Sequence, residues 1–312
     1  MPRGKRTVSP KNDSIAIVGC GLIGESWAAL FLAHGYNVRA FDPNQETAEG
    51  FGARVNRPLA QLRELGATGA GCLTVTETLA EAVAGVVLIQ ENAPENIPLK
   101  RAVLREIEEN APQSAIIASS TSALTWSDIS PDLQWPHRLV TAHPFNPPHL
   151  VPLVELYGID NAIVVQAEAI YRNLGRHPVR LKKDAVGHIA NRLASALWRE
   201  AVHIVAEGIA DVEAVDAALV HGPGLRWSVV GAHMVYHLGG GTGGISHYLQ
   251  HLGPSQVRRW QSLGSPDLTP EVCAALIDGI AQEAAGRSIE ELEADRDFKL
   301  INALKAREIA RG

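Results

Sequence analysis

Two groups of residues have types and spacing that could do chemistry. The first is Gly19-Cys20-Gly21-Leu22-Ile23-Gly24, a G-x-G-x-x-G pattern. Glycines so spaced would let the chain turn at Gly19, let backbone approach a pyrophosphate at Gly21, and let a helix pack on a strand at Gly24. Leu22 and Ile23 would then offer the free N–H groups and positive dipole end of a helix to the phosphates. The second group is His143 with Glu155. Glu155 is the single carboxylate in the strand-like run Val151-Pro152-Leu153-Val154-Glu155-Leu156-Tyr157, and an ionised carboxylate among apolar residues is costly unless something pairs with it. A histidine so paired is a general base: the carboxylate fixes the tautomer and stabilises the imidazolium while the ring accepts a proton. An isolated histidine is more often an ordinary core residue, and His149 in the same loop competes for the role.

Both groups need elements to hold them. Ser14 to Gly19 reads as a short buried strand, about Leu22 to His34 as a helix stopped by Gly35, and Tyr36 to Phe41 as a second strand. That is a βαβ unit with the glycines between strand and helix, the context the pattern requires. Asp42, at the end of the second strand, could accept both ribose hydroxyls of NAD and would repel the 2′-phosphate of NADP; the plainer alternative is a surface Asp opening a turn before Pro43. Val86 to Gln90, Ala115 to Ser119 and Leu139 to Ala142 read as strands, with a helix over Leu99 to Asn110. The alternation predicts an α/β fold, a Rossmann-like and mostly parallel sheet with helices on both faces. His143 would lie just past a strand, opening a loop stiffened by Pro144, Pro147 and Pro148.

From about Lys183 strand signals vanish. His188 to Glu207 carries Ile189, Leu193, Leu197 and Ile204 at helical spacing. Asp211 is placed to cap a further helix, Thr269-Pro270 to start another, and Ser288 with Glu291 to form a capping box. The expected organisation is a solvated tail at 1–13, an NAD-binding domain at 14–185 and an all-helical C-terminal substrate and dimerisation domain at 186–312.

The composition agrees. At about 150 residues per domain, 312 residues suit two domains. With 46% hydrophobic and 20% charged residues, a disordered chain and a coiled-coil rod are excluded. The net charge of −6 implies no general affinity for nucleic acid. No apolar run approaches the ~18 residues of a membrane span, and the N-terminus lacks the apolar stretch of a secretory signal. Cys20, Cys72 and Cys273 are odd in number and lack metal-like spacing, which suits a reducing cytoplasm. His233/His237 and His247/His251 could each share a helix face, but no third ligand is evident, and no metal site is expected. Gly239 to Gly244 lacks the Lys-Ser or Lys-Thr of a phosphate-cradling loop.

His143-Pro144-Phe145-Asn146-Pro147 followed by Leu153-Val154-Glu155 resembles the signature of the L-3-hydroxyacyl-CoA dehydrogenase family. The resemblance extends, in order, over Glu95-Asn96 with Lys100, Ala118-Ser119-Ser120-Thr121-Ser122 and Gly187-His188-Ile189-Ala190-Asn191-Arg192-Leu193. It implies an NAD-dependent dehydrogenase in which His143 is the base, Glu155 orients it, and Ser122 and Asn191 contact the reacting oxygen. It further implies that Glu95, Lys100, Ser122 and Asn146 line the NAD site, that the substrate lies between the domains, and that the protein is a homodimer. Two departures stand out. Ser120 replaces an Asn of many relatives, which puts one cofactor contact in doubt. The stretch from Pro43 to Leu99 contains no lysine, whereas the acyl-CoA enzymes carry there a lysine-bearing extension that contacts coenzyme A; only Arg54, Arg57 and Arg63 could replace it. Gly222-Pro223-Gly224-Leu225-Arg226-Trp227, Tyr236-His237-Leu238-Gly239-Gly240 and Ala93-Pro94-Glu95 resemble the carnitine dehydrogenase branch, with gulonate dehydrogenase a further relative. Both imply a small free hydroxy acid as substrate. Arg226, in a loop bounded by glycine and proline, is the candidate for its carboxylate, and Trp227 or Tyr236 for a trimethylammonium group through a cation–π contact. The alternatives are a 3-hydroxybutyryl-CoA-type dehydrogenase and, of another class, a crystallin-like nucleotide-binding protein with little turnover.

Overall fold

The computed structural model describes residues 13–309. Eight strands form, the central ones on runs of small and branched apolar residues: β1 Ser14–Val18, β2 Asn37–Phe41, β3 Leu73–Val75, β4 Leu88–Glu91, β5 Ile116–Ser119, β6 Leu139–Pro144, β7 Leu153–Tyr157 and β8 His177–Arg180. They make one sheet in the order β3-β2-β1-β4-β5-β6-β7-β8. Every neighbouring pair is parallel except β6 with β7. Strand order reverses between β1 and β4, the place where open α/β sheets take nucleotides. Along β1, Ile15 and Ile17 join one buried cluster with Trp27, Phe31 and Phe51, whereas Ala16 and Val18 join another with Ile89, Leu104 and Ile117. A strand covered on both faces is apolar throughout, which is why it reads as a run rather than an alternation.

The helices among these strands are α1 Leu22–Ala33, α2 Gln45–Glu64, α3 Leu79–Val83, α4 Ile97–Asn110, α5 Trp126–Ile129 and α6 Asn161–Asn173. After β8 only helices follow: α7 Ala190–Ala206, α8 Val212–His221, α9 Pro223–Trp227, α10 Ala232–Gly239, α11 Gly244–His251, α12 Gly253–Gln261, α13 Pro270–Ala284 and α14 Ile289–Ile309. The expected caps are present: the Asp211 side chain accepts from Ala214 N–H, Thr269 from Val272 N–H, and Ser288 and Glu291 bond reciprocally.

Three local expectations change. β6 continues to Pro144, so His143 stands inside the strand rather than past it, because the ladder to β7 extends the pairing through Pro144↔Val154. The segment around Arg226 is the helix α9 rather than a loop; Pro223 at its first turn presets the helical φ. Of the solvated tail expected at 1–13, all but Asp13 lies outside the described residues, and Asp13 is buried.

The chain divides into two compact units. One runs to Arg192 and includes the segment from Arg296 on; the other is Leu193–Asp295. In the first, Asp297 of α14 accepts from Arg57 and Gln61 of α2, and Lys305 pairs with Glu64. No helix among the described residues is long and apolar enough to cross a membrane.

Candidate active site

The glycine turn ends β1 and opens α1. Gly19 has φ +98°, a conformation that glycine adopts without steric cost. A side chain at Gly24 would sit 2.1 Å from the Gly19 carbonyl oxygen, so helix and strand touch through backbone alone. A Cβ on Gly21 would meet nothing within 4 Å, and the α1 N-terminus carries no side-chain cap. Backbone N–H groups of the first turn thus have no side-chain cap, and the turn before them leaves open space at Gly21, which suits a bound pyrophosphate. Asp42, one residue beyond β2, accepts from Cys20 N–H at 2.8 Å and from Asn44 N–H at 2.9 Å. These bonds fix its carboxylate beside the turn. Burial, then the Asp42 charge, pushes the Cys20 thiol up to about 12, so it is unreactive.

At the end of β4 lies a buried ion pair: Lys100 donates to Glu91 at 2.9 Å and to the Ala93 carbonyl at 2.7 Å. Glu91 also accepts from Ala93 N–H and from the Ser119 hydroxyl. The charge of Lys100, buried with Glu91, secures the loop between β4 and α4. Glu95 in that loop accepts from the Thr121 hydroxyl at 2.9 Å, from Ser122 N–H, and from the Ser122 hydroxyl at 3.1 Å. The Ser120 hydroxyl is taken up inside the protein by Trp27, Gln90 and Asn92.

His143 and Glu155 face each other across the antiparallel ladder, with His143 Nδ1 2.9 Å from Glu155 Oε2. Both are buried. The other oxygen, Oε1, accepts from the backbone N–H of Ile189 at 2.8 Å and of Ala190 at 3.0 Å, at the start of α7. Burial alone would raise the Glu155 carboxyl. The bonds from His143, Ile189 and Ala190 outweigh it and hold the group below its ordinary value, charged. His143 Nε2 has no hydrogen bond among the described residues, and His143 lines a cavity of about 440 Å³. Glu95, Lys100, Ser122, Asn146, Ile23 and Asn191 line the same cavity. The Asn191 amide donates to the Ser122 carbonyl at 3.2 Å.

His149 is elsewhere engaged. Its two ring nitrogens contact the Ser26 hydroxyl at 3.1 Å and Gln61 Oε1 at 2.6 Å, and burial pushes its pKa down to about 4. A larger cavity, about 640 Å³ with His34, Arg176 and Arg307 on its walls, is lined by none of the candidate catalytic, cofactor or substrate residues.

The sequence reading missed Glu91 as the partner of Lys100, and Asn92 and Phe145 as cavity walls. It also missed His188, whose buried ring stacks on that of His143. Arg54 and Arg57, candidates for a coenzyme A arm, are committed to Glu25 and Asp297. In the second unit Arg226 and Trp227 are exposed on α9, and the Tyr236 ring on α10 packs 5.1 Å from that of Tyr248. Among the described residues no group of three His, Cys, Asp or Glu is placed to hold a metal ion.

Comparison with known proteins gives consistent matches. Residues 14–185 match the family model "3-hydroxyacyl-CoA dehydrogenase, NAD binding domain", and residues 187–265 match "3-hydroxyacyl-CoA dehydrogenase, C-terminal domain". The chain is 42% identical to an L-carnitine dehydrogenase of Nocardiopsis dassonvillei, over 99% of this chain and 95% of that one. It is 44% identical to an L-carnitine dehydrogenase of Streptomyces griseus, over 94% and 89%. Among solved structures it resembles an NAD⁺-dependent 5-formyl-3-hydroxy-2-methylpyridine 4-carboxylic acid 5-dehydrogenase, with a TM-score of 0.81, 29% identity, and 96% and 98% of the two chains covered.

Proposed function

The chain belongs to the 3-hydroxyacyl-CoA dehydrogenase family, and from that premise we propose that it oxidises the secondary hydroxyl of a small free L-3-hydroxy acid of the carnitine type, with NAD as oxidant. The observation that carries the reaction is the Glu155–His143 pair: a charged carboxylate bonded to one imidazole nitrogen, with the other unclaimed on a cavity wall. The residues present fit the cofactor. The open Gly21 cradle and uncapped α1 would take its pyrophosphate, and the carboxylate of Asp42 its ribose hydroxyls. Glu95, Lys100, Ser122 and Asn146 would line the nicotinamide side.

NAD, when bound, supplies the acceptor for the hydride that leaves the substrate carbon. His143 Nε2 takes the hydroxyl proton, and the Glu155 charge stabilises the imidazolium that results. The second N–H of the Asn191 amide holds the oxygen as the alcohol becomes a ketone, joined by the Ser122 hydroxyl when it turns from Glu95 to the substrate.

Two observations support a free acid over a thioester. The relatives named L-carnitine dehydrogenase match over nearly the whole chain. The outer edge from Pro43 to Leu99 has no lysine, and its Arg54 and Arg57 are already paired, leaving little to meet the phosphates of coenzyme A. The substrate carboxylate is assigned to Arg226, which has no side-chain partner among the described residues, and a cationic tail to Trp227 or Tyr236. Residues 186–312 are taken as the helical part that serves substrate and a homodimer, since so many of their apolar side chains are exposed. Free thiols at all three cysteines suit a cytoplasmic setting.

NADH formation with carnitine, gulonate, 3-hydroxybutyrate and 3-hydroxybutyryl-CoA tests the reading. Carnitine-type acids should turn over, and Arg226→Met should raise their KM. Oxidation of the thioester alone, unaffected by Arg226→Met, would return the chain to the acyl-CoA branch. No turnover with any of them would favour a crystallin-like role.

A further inference from the structure

Just ahead of α7 the backbone does something costly. Gly187 and His188 take left-handed conformations in succession, with φ +73° and +51°. Glycine tolerates that region; a residue with a Cβ is strained in it. At 188 the chain nevertheless carries a histidine, 3% exposed, whose Nδ1 is buried without a hydrogen-bond partner. Strain and an unsatisfied polar atom at one residue persist only where the surroundings over-determine them, and such residues cluster at functional sites. The surroundings here are the His143–Glu155 pair. The His188 ring stacks on His143, with centroids 4.7 Å apart and planes 26° apart. The next two N–H groups in the chain are those that bond Glu155 Oε1.

We propose that His188 is a positioning residue for the base: its ring closes one face of the His143 imidazole and fixes its plane, and its left-handed turn aims the Ile189 and Ala190 N–H groups at Glu155. This rests on the reading of His143 as the base. Glu155 holds the His143 ring at one nitrogen only, and a ring held at one point can still rock. A second contact on its face leaves Nε2 in one orientation, and misplacing a reacting group by about 1 Å costs up to about 10²-fold in rate. His188 does this as a neutral ring. Burial and the adjacent His143 lower its pKa against the opposing charges of Glu155 and Asp184 and the nearby Ser122 backbone, so no second charge is set against the imidazolium.

The test is kinetic, with NADH affinity measured alongside by fluorescence titration. His188→Gly keeps the left-handed turn and removes the ring. It should bind NADH within about twofold of wild type, leave KM within about threefold, and lower kcat about tenfold or more. His188→Phe restores a ring without the unpaired nitrogen and should return kcat to within about threefold of wild type. A wild-type kcat in His188→Gly, or a His188→Phe enzyme that binds NADH but is as slow as the glycine variant, overturns the proposal. Should the glycine variant fail to bind NADH, His188→Phe decides alone by the same threefold criterion. His143→Asn separates the two ideas: wild-type turnover there would sink the base itself, whereas a dead His143→Asn beside a normal His188→Gly would sink only the positioning role.

Discussion

The two units of this chain spend their apolar residues differently. In the first, the central strands and most of α1 are buried, with Ile15, Ile17, Trp27, Phe31 and Leu88 at 0% exposure. In the second, Val202, Val212 and Val235 are the only apolar side chains buried among the described residues. Trp198, Leu225, Val229, Leu238, Trp260 and Ile277 each expose more than half their surface. The polar contacts divide the same way. Side chains of the first unit bond across long stretches of sequence, such as Ser26 to His149 and Gln61 to Asp297. Those of the second mostly join residues within one helix or across one turn, with Glu200 to Gly264 N–H an exception. The first unit buries an interior of its own, whereas the second leaves most of its large apolar side chains exposed, the kind of surface that marks interaction sites.

If function resides in the self-sufficient unit, a conservative change there should hurt most. His143→Asn should retain NADH binding and lower kcat by about 10²–10⁴-fold, the usual range for a lost general base; Glu155→Gln should also be slow. Near-normal turnover in His143→Asn, with activity lost in His149→Asn, would assign the base to the other histidine.

His149 itself tests the interior of the first unit. Held down to about 4 by burial, it stays neutral in the folded protein at a pH where the unfolded chain already protonates it. The unfolded state therefore binds more protons between about pH 6.5 and pH 4, and stability falls as pH is lowered through that window, by up to about 3 kcal/mol. Urea midpoints measured across it should show this slope. His149→Gln, which cannot take the proton, should flatten it.

The second unit should be sensitive to cover instead. If the proposed homodimer covers this unit, Trp198→Glu should weaken self-association about 30-fold, as loss of a buried aromatic anchor does, and sedimentation at falling concentration would detect it. An unchanged mass distribution would mean that this face of α7 is not the covered one. Smallest of the four is Asp42→Ser, which should narrow the preference for NAD over NADP about tenfold by removing one charge beside the 2′ position. Equal use of both dinucleotides by the unmodified protein would contradict the role of Asp42.

What could be read from the sequence was whatever depends on neighbours along the chain. The strand–glycine–helix unit announced itself because Gly19, Gly21 and Gly24 have separate local tasks. The caps at Asp211, Thr269 and Ser288 were equally local. β3 and β8 were not legible, since three- and four-residue strands near a sheet edge carry too few side chains for a pattern. Nor was Glu91 legible as the partner of Lys100, because it stands at a strand end with nothing nearby in sequence to mark it as charged and buried. By type and position alone His149 and His143 looked alike; the family motif favoured His143, and the contacts of His149 to Ser26 and Gln61, far away in sequence, show why it is engaged elsewhere. Gly187 and His188 entered only as part of the family motif, and nothing in it marked them as two successive left-handed residues.

The reversal of β7 against β6 has a consequence for how much the loop between them can vary. His143 and Glu155 are direct partners in that ladder, so their side chains project from the same face of the sheet. Strand side chains alternate with a period of two, and slipping β7 by one residue would send Glu155 to the opposite face while leaving every backbone hydrogen bond available. The segment from Phe145 to Pro152 thus acts as a ruler, its length deciding whether the two groups meet. Insertions there that preserve the frame of pairing would be tolerated, and a single-residue deletion that shifted it would disconnect the dyad without unfolding the sheet.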